Sequence, residues 1–215
     1  DNVRQLFDEV APDDLVDIIQ VVSPEVRESV WNSLSEDAKQ ETKFLLRFDK
    51  DDAAGLMTPR YAAIRSVLTV GQALAFVRST GQEVETIYYI YVVDQLKRLM
   101  GVVSLKDLLF HDDTERIDTI MVREAVSVRE DTDQEEVARI LGAYDLIALP
   151  VIDDYNRLLG IVTFDDVLDV IQAEQTEDVY KMGAMGGSLE RYVDSSIGRL
   201  ILRRIPWLAI LLVAG

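Results

Sequence analysis

Cysteine is absent from all 215 residues. That excludes disulfides, a thiolate nucleophile and a zinc site built on sulfur, and it fits a reducing compartment. Histidine is almost as scarce, with His111 the only one. No serine, histidine and acid set with a nucleophile turn can be assembled, and the phosphate-loop pattern is missing, so no enzyme is expected. Positive charge is also in deficit. Against 39 acidic residues stand 22 basic ones, a formal charge of -17, which repels nucleic acid and attracts cations. No signal peptide opens the chain, since Asp1-Asn2-Val3-Arg4 enters an amphipathic pattern directly. Without an initiator methionine, the sequence reads as a fragment cut from something longer.

What the chain does contain is one phrase written twice. Gly55-Leu56-Met57-Thr58-Pro59 opens a stretch that runs through Tyr91-Val92-Val93-Asp94 to Arg98-Leu99-Met100-Gly101-Val102-Val103-Ser104-Leu105-Lys106-Asp107. Thr119-Ile120-Met121 opens another that runs through Leu149-Pro150-Val151-Ile152-Asp153 to Arg157-Leu158-Leu159-Gly160-Ile161-Val162-Thr163-Phe164-Asp165-Asp166. The closing phrases align without a gap at an offset of 59 residues. A copy of about 60 residues is too small to bury a good core alone, so the two should pack as a pair. Each copy carries a helix pattern with a capping signal (Thr69 onward, Thr132 onward), a β-branched run (Thr86 to Val93, Leu146 to Ile152), a charged turn, a second short strand and a closing helix. The unit is β, α, β, turn, β, α.

Residues 1–50 read as a small all-helical domain. Apolar residues recur at intervals of three and four, and helix starts are marked at Ala11-Pro12-Asp13-Asp14, Ser23-Pro24-Glu25 and Ser35-Glu36-Asp37. After the repeats, Gly183-Ala184-Met185-Gly186-Gly187-Ser188 interrupts a helical pattern that resumes over residues 189–202. Residues 205–215 are uncharged, preceded by Arg199, Arg203 and Arg204 and anchored by Trp207. Eleven residues cannot span a bilayer, which needs about 20, but these flanks are those of a first membrane helix.

Two constellations carry chemistry. In the closing phrase, glycine permits close approach, the hydroxyl of Ser104 can meet a phosphate at a helix start, and Asp107 can accept from ribose hydroxyls. The same serine and aspartate can equally cap the helix. The second constellation is acidic. Asp165 to Asp178 holds six carboxylates and no basic residue; on a helix Asp166, Asp169 and Glu177 share one side, flanked by Glu174 and Asp178. Such crowding weakens a helix unless a cation neutralises it. Asp133, Glu135 and Glu136 form another cluster, and Asp13, Asp14 and Asp17 a third. One acidic run is more often a solvated face, but three in separate elements can meet across domain surfaces. Magnesium, which keeps most of its water, needs only one or two carboxylates from each side to bridge them.

Residues 56–175 resemble a tandem pair of CBS domains, modules that often bind adenine nucleotides between the copies. The acidic helical segment before them, together with Glu85-Thr86-Ile87-Tyr88-Tyr89-Ile90-Tyr91-Val92-Val93-Asp94, Asp131-Thr132-Asp133-Gln134-Glu135-Glu136-Val137-Ala138-Arg139 and Ala173-Glu174-Gln175-Thr176-Glu177-Asp178, is similar to the cytoplasmic part of MgtE-type magnesium channels. The resemblance implies an α+β chain in five parts: a helical N domain over 1–50, a first CBS domain over 51–114, a second over 115–175, a connecting helix over 176–204 and the start of a transmembrane helix over 205–215. It implies a homodimer in the inner membrane, multi-pass, with this region cytoplasmic. Regulatory magnesium would hold the compact, closed state. The family's metal positions match Asp133, Glu135, Asp166, Glu174, Glu177 and Asp178, with Asp145 and Asp169 as contributors and Asp13, Asp14 or Asp17 filling the role in the helical domain. Its nucleotide pocket matches Tyr89, Asp107, Ala148 and Pro150, with Lys106 and Leu146 where an arginine and an aromatic residue often stand, and ATP is the ligand so implied. The rival reading is a stand-alone adenine-nucleotide sensor whose acids only solubilise it.

Overall fold

The structure, a computed structural model, describes residues 10–168 and 170–171. Expectations for the connecting helix, the membrane segment, Asp169, Glu174, Glu177 and Asp178 therefore lie outside the described residues. Among those described, no helix is long and apolar enough to cross a membrane.

Among the described residues, three ten-residue helices come first: α1 (Pro12–Val21), α2 (Pro24–Ser33) and α3 (Glu36–Leu45). Proline fits the opening of α1 and α2 because its missing N–H would have no helical partner there. Ser35 caps α3 by accepting from the Ala38 N–H, whereas Ser23 stands at the N-cap of α2 without such a bond. The faces that α1, α2 and α3 turn to one another bury Leu15, Ile19, Val30, Leu34 and Ala38.

The repeats follow. Copy one comprises α4 (Ala53–Leu56), β1 (Tyr61–Arg65), α5 (Val70–Thr80), β2 (Thr86–Val93), β3 (Leu99–Ser104) and α6 (Leu105–Phe110). Copy two comprises α7 (Ile117–Ile120), β4 (Val128–Arg129), α8 (Gln134–Ala143), β5 (Ala148–Ile152) and β6 (Leu158–Thr163), after which residues 164–168 are helical. In each three-stranded sheet the first strand runs parallel to the second and the second antiparallel to the third. The turns match as closely. Asp94 Oδ1 accepts from the N–H groups of Leu96 and Arg98, and Asp153 Oδ1 from those of Tyr155 and Arg157. Lys97 and Asn156, 59 positions apart, both take left-handed backbone angles, with φ of 61° and 62°.

What joins the copies is an exchange of their leading segments. Thr58, ahead of β1, pairs with Ile161 in copy two, and Val122, ahead of β4, pairs with Val102 in copy one. Met57 accordingly sits in the core of copy two, and Ile117 and Met121 in that of copy one. Gly101 and Gly160 are where the borrowed segments cross. A Cβ at Gly101 would lie 2.4 Å from the Val122 carbonyl oxygen, and one at Gly160 2.8 Å from that of Thr58. The close approach expected of this glycine is thus made to the protein's own backbone. The helical domain joins the same core, because Val16 of α1 and Leu45 of α3 are buried with Leu141, Leu149 and Val162 of copy two. Each such side chain contributes about 1.5–3 kcal/mol when removed from water.

One strand starts later than its β-branched run suggests. Asp145 follows α8 with φ of 51°, and the Leu146 N–H bonds to the Leu141 carbonyl. This left-handed cap spends residues 144–146 on ending the helix, so β5 opens only at Ala148. Pro150 is tolerated within it because β4 pairs only with Val151 and Ile152.

The crossing makes a direct prediction. Gly101→Ala should destabilise the protein by about 2 kcal/mol or more, since backbone must move to admit the methyl. Gly142→Ala, on α8 with nothing within 4 Å of the new carbon, should stabilise it by about 0.5–1 kcal/mol. Urea denaturation of both variants checks this; equal effects would mean that the crossing is not tight.

Candidate metal and nucleotide sites

Docking of α1 on copy two brings its first turn against the start of the last described helix. Asp13 is half-buried, and its Oδ1 is buried without a hydrogen-bond partner among the described residues. Its carboxyl is pushed up to about 7, chiefly by burial and then by the negative charges of Asp166, Asp14 and Glu85, against a backbone hydrogen bond that pulls it down. Asp166 is raised likewise, first by burial and then by Asp165 and Asp14, although the Thr163 hydroxyl donates to its Oδ2 and offsets part of this. Glu85, just ahead of β2, is raised by partial burial and by Asp166, Asp165 and Asp14, with Arg60 opposing. Asp17 is raised by burial and Asp14, with Lys50 opposing. Of the expected acids, the fold therefore unites Asp13, Asp14 and Asp166. It adds Asp165, counted in the acidic run but not among the expected ligands, and Glu85, which nothing in the sequence grouped with them.

Asp133 and Glu135 belong to a different acidic group. Asp133 is the N-cap of α8, its Oδ1 accepting from the Glu135 N–H at 2.8 Å. Its backbone bridges to Asp52 in the linker after α3, and the Asp52 carboxyl is raised by burial and by Asp49, Asp131, Asp133 and Asp51. The run Asp49-Lys50-Asp51-Asp52 was the sequence signal for that partnership. Asp145 is exposed in the cap of α8, where its left-handed backbone angle serves the helix end.

Among the described residues, no three acidic or histidine side chains are grouped so as to hold a metal ion by themselves. A fully enclosed site is therefore not what this surface offers. The orphaned, buried Asp13 oxygen beside Asp166 nevertheless fits a hydrated divalent cation that takes one carboxylate from each side and replaces a repulsion by two attractions.

The nucleotide residues divide. Tyr89, half-buried on β2, packs against the cluster of Tyr91, Ala148, Leu158 and Ile161 that both copies build, so Tyr89 and Ala148 border the same junction. Pro150 is buried two positions further along β5. Ser104 and Asp107 form a capping box at α6: the Ser104 hydroxyl oxygen accepts from the Asp107 N–H at 3.0 Å, and Asp107 Oδ2 accepts from the Ser104 N–H and hydroxyl. The capping alternative is thus realised, and both bonds use one carboxylate oxygen. Lys106 is exposed in the first turn of α6. Leu146 packs instead into the core of copy two, with Leu141 and Leu149. His111 caps the end of α6, its Nδ1 2.8 Å from the Asp107 carbonyl oxygen.

Comparison with known proteins bears on both sites. Residues 1–51 match the MgtE intracellular N domain, and residues 53–113 and 117–173 match the CBS domain. The magnesium transporter MgtE of Thermus thermophilus is 46% identical over 206 residues, covering 94% of this chain and 46% of that protein. That of Bacillus subtilis is 34% identical over 203 residues, covering 94% and 45%. The chain thus spans about half the length of the curated relatives it matches. Among solved structures, the cytosolic domain of the Mg2+ channel MgtE in complex with ATP superposes with a TM-score of 0.76 at 47% identity, covering 78% of this chain and 69% of that one. The soluble part of a magnesium transporter gives 0.76 at 37% identity, covering 80% and 67%.

The raised Asp13 carboxyl has a definite sign in stability. Its folded value lies above the unfolded 3.8, so the fold favours the protonated form. That contribution is intact below about pH 4, declines as pH rises and is gone above about pH 7. Without divalent cations, Asp13→Asn should therefore gain stability over the parent at pH 8, on the order of 2 kcal/mol, and the gain should shrink toward zero at pH 4. Urea unfolding at the two pH values is the measurement. A pH-independent difference would show that Asp13 ionises freely.

Proposed function

Since this chain belongs to the MgtE family of magnesium transporters, we propose that it is the magnesium-sensing regulatory region of a homodimeric magnesium channel of the cell membrane. One observation carries the reading: Asp13 of the helical domain has a buried and unpartnered oxygen, and the charge of Asp166 in the second CBS copy acts on its carboxyl. Two carboxylates from separate parts of the fold repel when charged, and a divalent cation between them reverses the sign. Magnesium bound there favours the compact arrangement, and its loss lets the helical domain part from the CBS pair. Asp133 and Glu135, beside Asp52, offer a second acidic surface. Asp169, Glu174, Glu177 and Asp178 extend the same logic to the helix that would lead to the pore, with the closed channel as the compact state.

Two further features support the assembly. Leu109 and Leu168, 59 positions apart, are 62% and 39% exposed at equivalent places in the two copies. Apolar residues repeated in this way suit an isologous contact with a second copy. Tyr89, paired across the sheet with Ser104 and sharing a cluster with Ala148, suits an adenine nucleotide between the copies, stacked on the ring with its ribose held by Asp107. ATP is then a modulator.

Magnesium should raise the unfolding free energy by RT ln(1 + [Mg]/Kd), about 2.7 kcal/mol at a hundredfold excess over Kd. Sodium at matched ionic strength should do far less. Thermal unfolding in the two salts tests this, and equal shifts would reduce the effect to screening of a solvated acidic face.

A further inference from the structure

The acidic junction contains a cation of its own. Arg60 stands one residue before β1, and its carbonyl accepts from the Glu85 N–H at 2.7 Å, which pins its backbone to the entry of β2. From there the side chain reaches back to the helical domain. Its Nε and Nη2 donate to Glu41 Oε2 on α3, at 3.1 and 3.0 Å, and its Nη1 to the Val10 carbonyl just ahead of α1, at 3.4 Å. Both side chains are mostly sheltered, 22% and 31% exposed. Among the described residues this is the one ion pair joining the three-helix segment to the CBS copies. Its surroundings are negative, and the Arg60 charge pulls against the rise in Glu85.

We propose that Arg60 is a tethered cation that latches the helical domain onto the first CBS copy without any metal ion. A guanidinium stays charged at every relevant pH and presents several N–H groups in a fixed plane, so it can hold two partners at once. Because it is covalently attached, its occupancy does not depend on concentration, unlike that of magnesium. Arg60 thus sets the baseline on which the metal acts. It keeps the metal-free protein partly closed and lowers the magnesium needed to complete closure. This extends the sensing reading but stands without it, since its first consequence concerns the metal-free state.

The test uses the absence of cysteine to advantage. Asn32→Cys on α2 and Arg78→Cys on α5, both exposed, carry spin labels whose separation is measured in the full 215-residue chain with EDTA and then with magnesium. Arg60→Met and Glu41→Gln should each shift the metal-free population toward longer distances, by about threefold to tenfold for a sheltered, multiply bonded ion pair. The double variant should behave like Arg60→Met alone, because once the guanidinium is gone Glu41 has no bond to it left to lose. In Arg60→Met, magnesium should restore the short distance, with a midpoint raised by the same factor. Unchanged metal-free distances in both single variants, or losses that simply add, would overturn the latch. Should Arg60→Met fail to fold, Glu41→Gln decides alone, since it leaves β1 untouched. Should magnesium leave the parent unchanged, the sensing reading fails while the EDTA comparison still settles the latch.

Discussion

Carboxylates from separate parts of the fold act on one another electrostatically, and those of Asp13, Glu85 and Asp166 are held above their usual range. Asp13 and Asp14 arrive on α1, Asp166 and Asp165 on the helix after β6, and Glu85 at the entry of β2. Like charges in a partly buried setting oppose one another, and burial adds its own cost. Asp13 relieves the strain by holding its proton near neutrality. A divalent cation would relieve it more completely, because it turns several repulsions into attractions at once.

The apolar part of the fold is what keeps the acids close. Val16 and Leu45 are committed to the core of copy two, and the exchanged leading segments lock the copies to each other through Thr58 with Ile161 and Val122 with Val102. Hydrophobic anchors and an acidic junction of opposing sign leave a balance small enough for a ligand to tip.

Much of the fold was legible because the repeat recurs in backbone terms as well as in spacing. Asp94 and Asp153 close the same turn, Lys97 and Asn156 share one backbone angle, and Gly101 and Gly160 both admit a crossing chain. Family resemblance identified the magnesium and CBS modules. Less legible was which acids meet. The approach of Glu85 and Asp165 to α1 depends on docking through Val16 and Leu45, which look like ordinary core residues in the sequence. Asp52 reaches Asp133 only because the linker bridges to α8. Local backbone demands hid other features: Asp133 and Asp107 cap helices, and Leu146 ends a helix and fills a core instead of opening a strand.

If magnesium binds by neutralising the junction, it must displace the proton that Asp13 holds near pH 7. Calorimetric titration of magnesium in two buffers of different ionisation enthalpy counts that proton directly. The account predicts release of about half a proton per chain at pH 7, lost at pH 8.5 and in Asp13→Asn. Magnesium binding with no proton release at pH 7, or with the same release in Asp13→Asn, would contradict it.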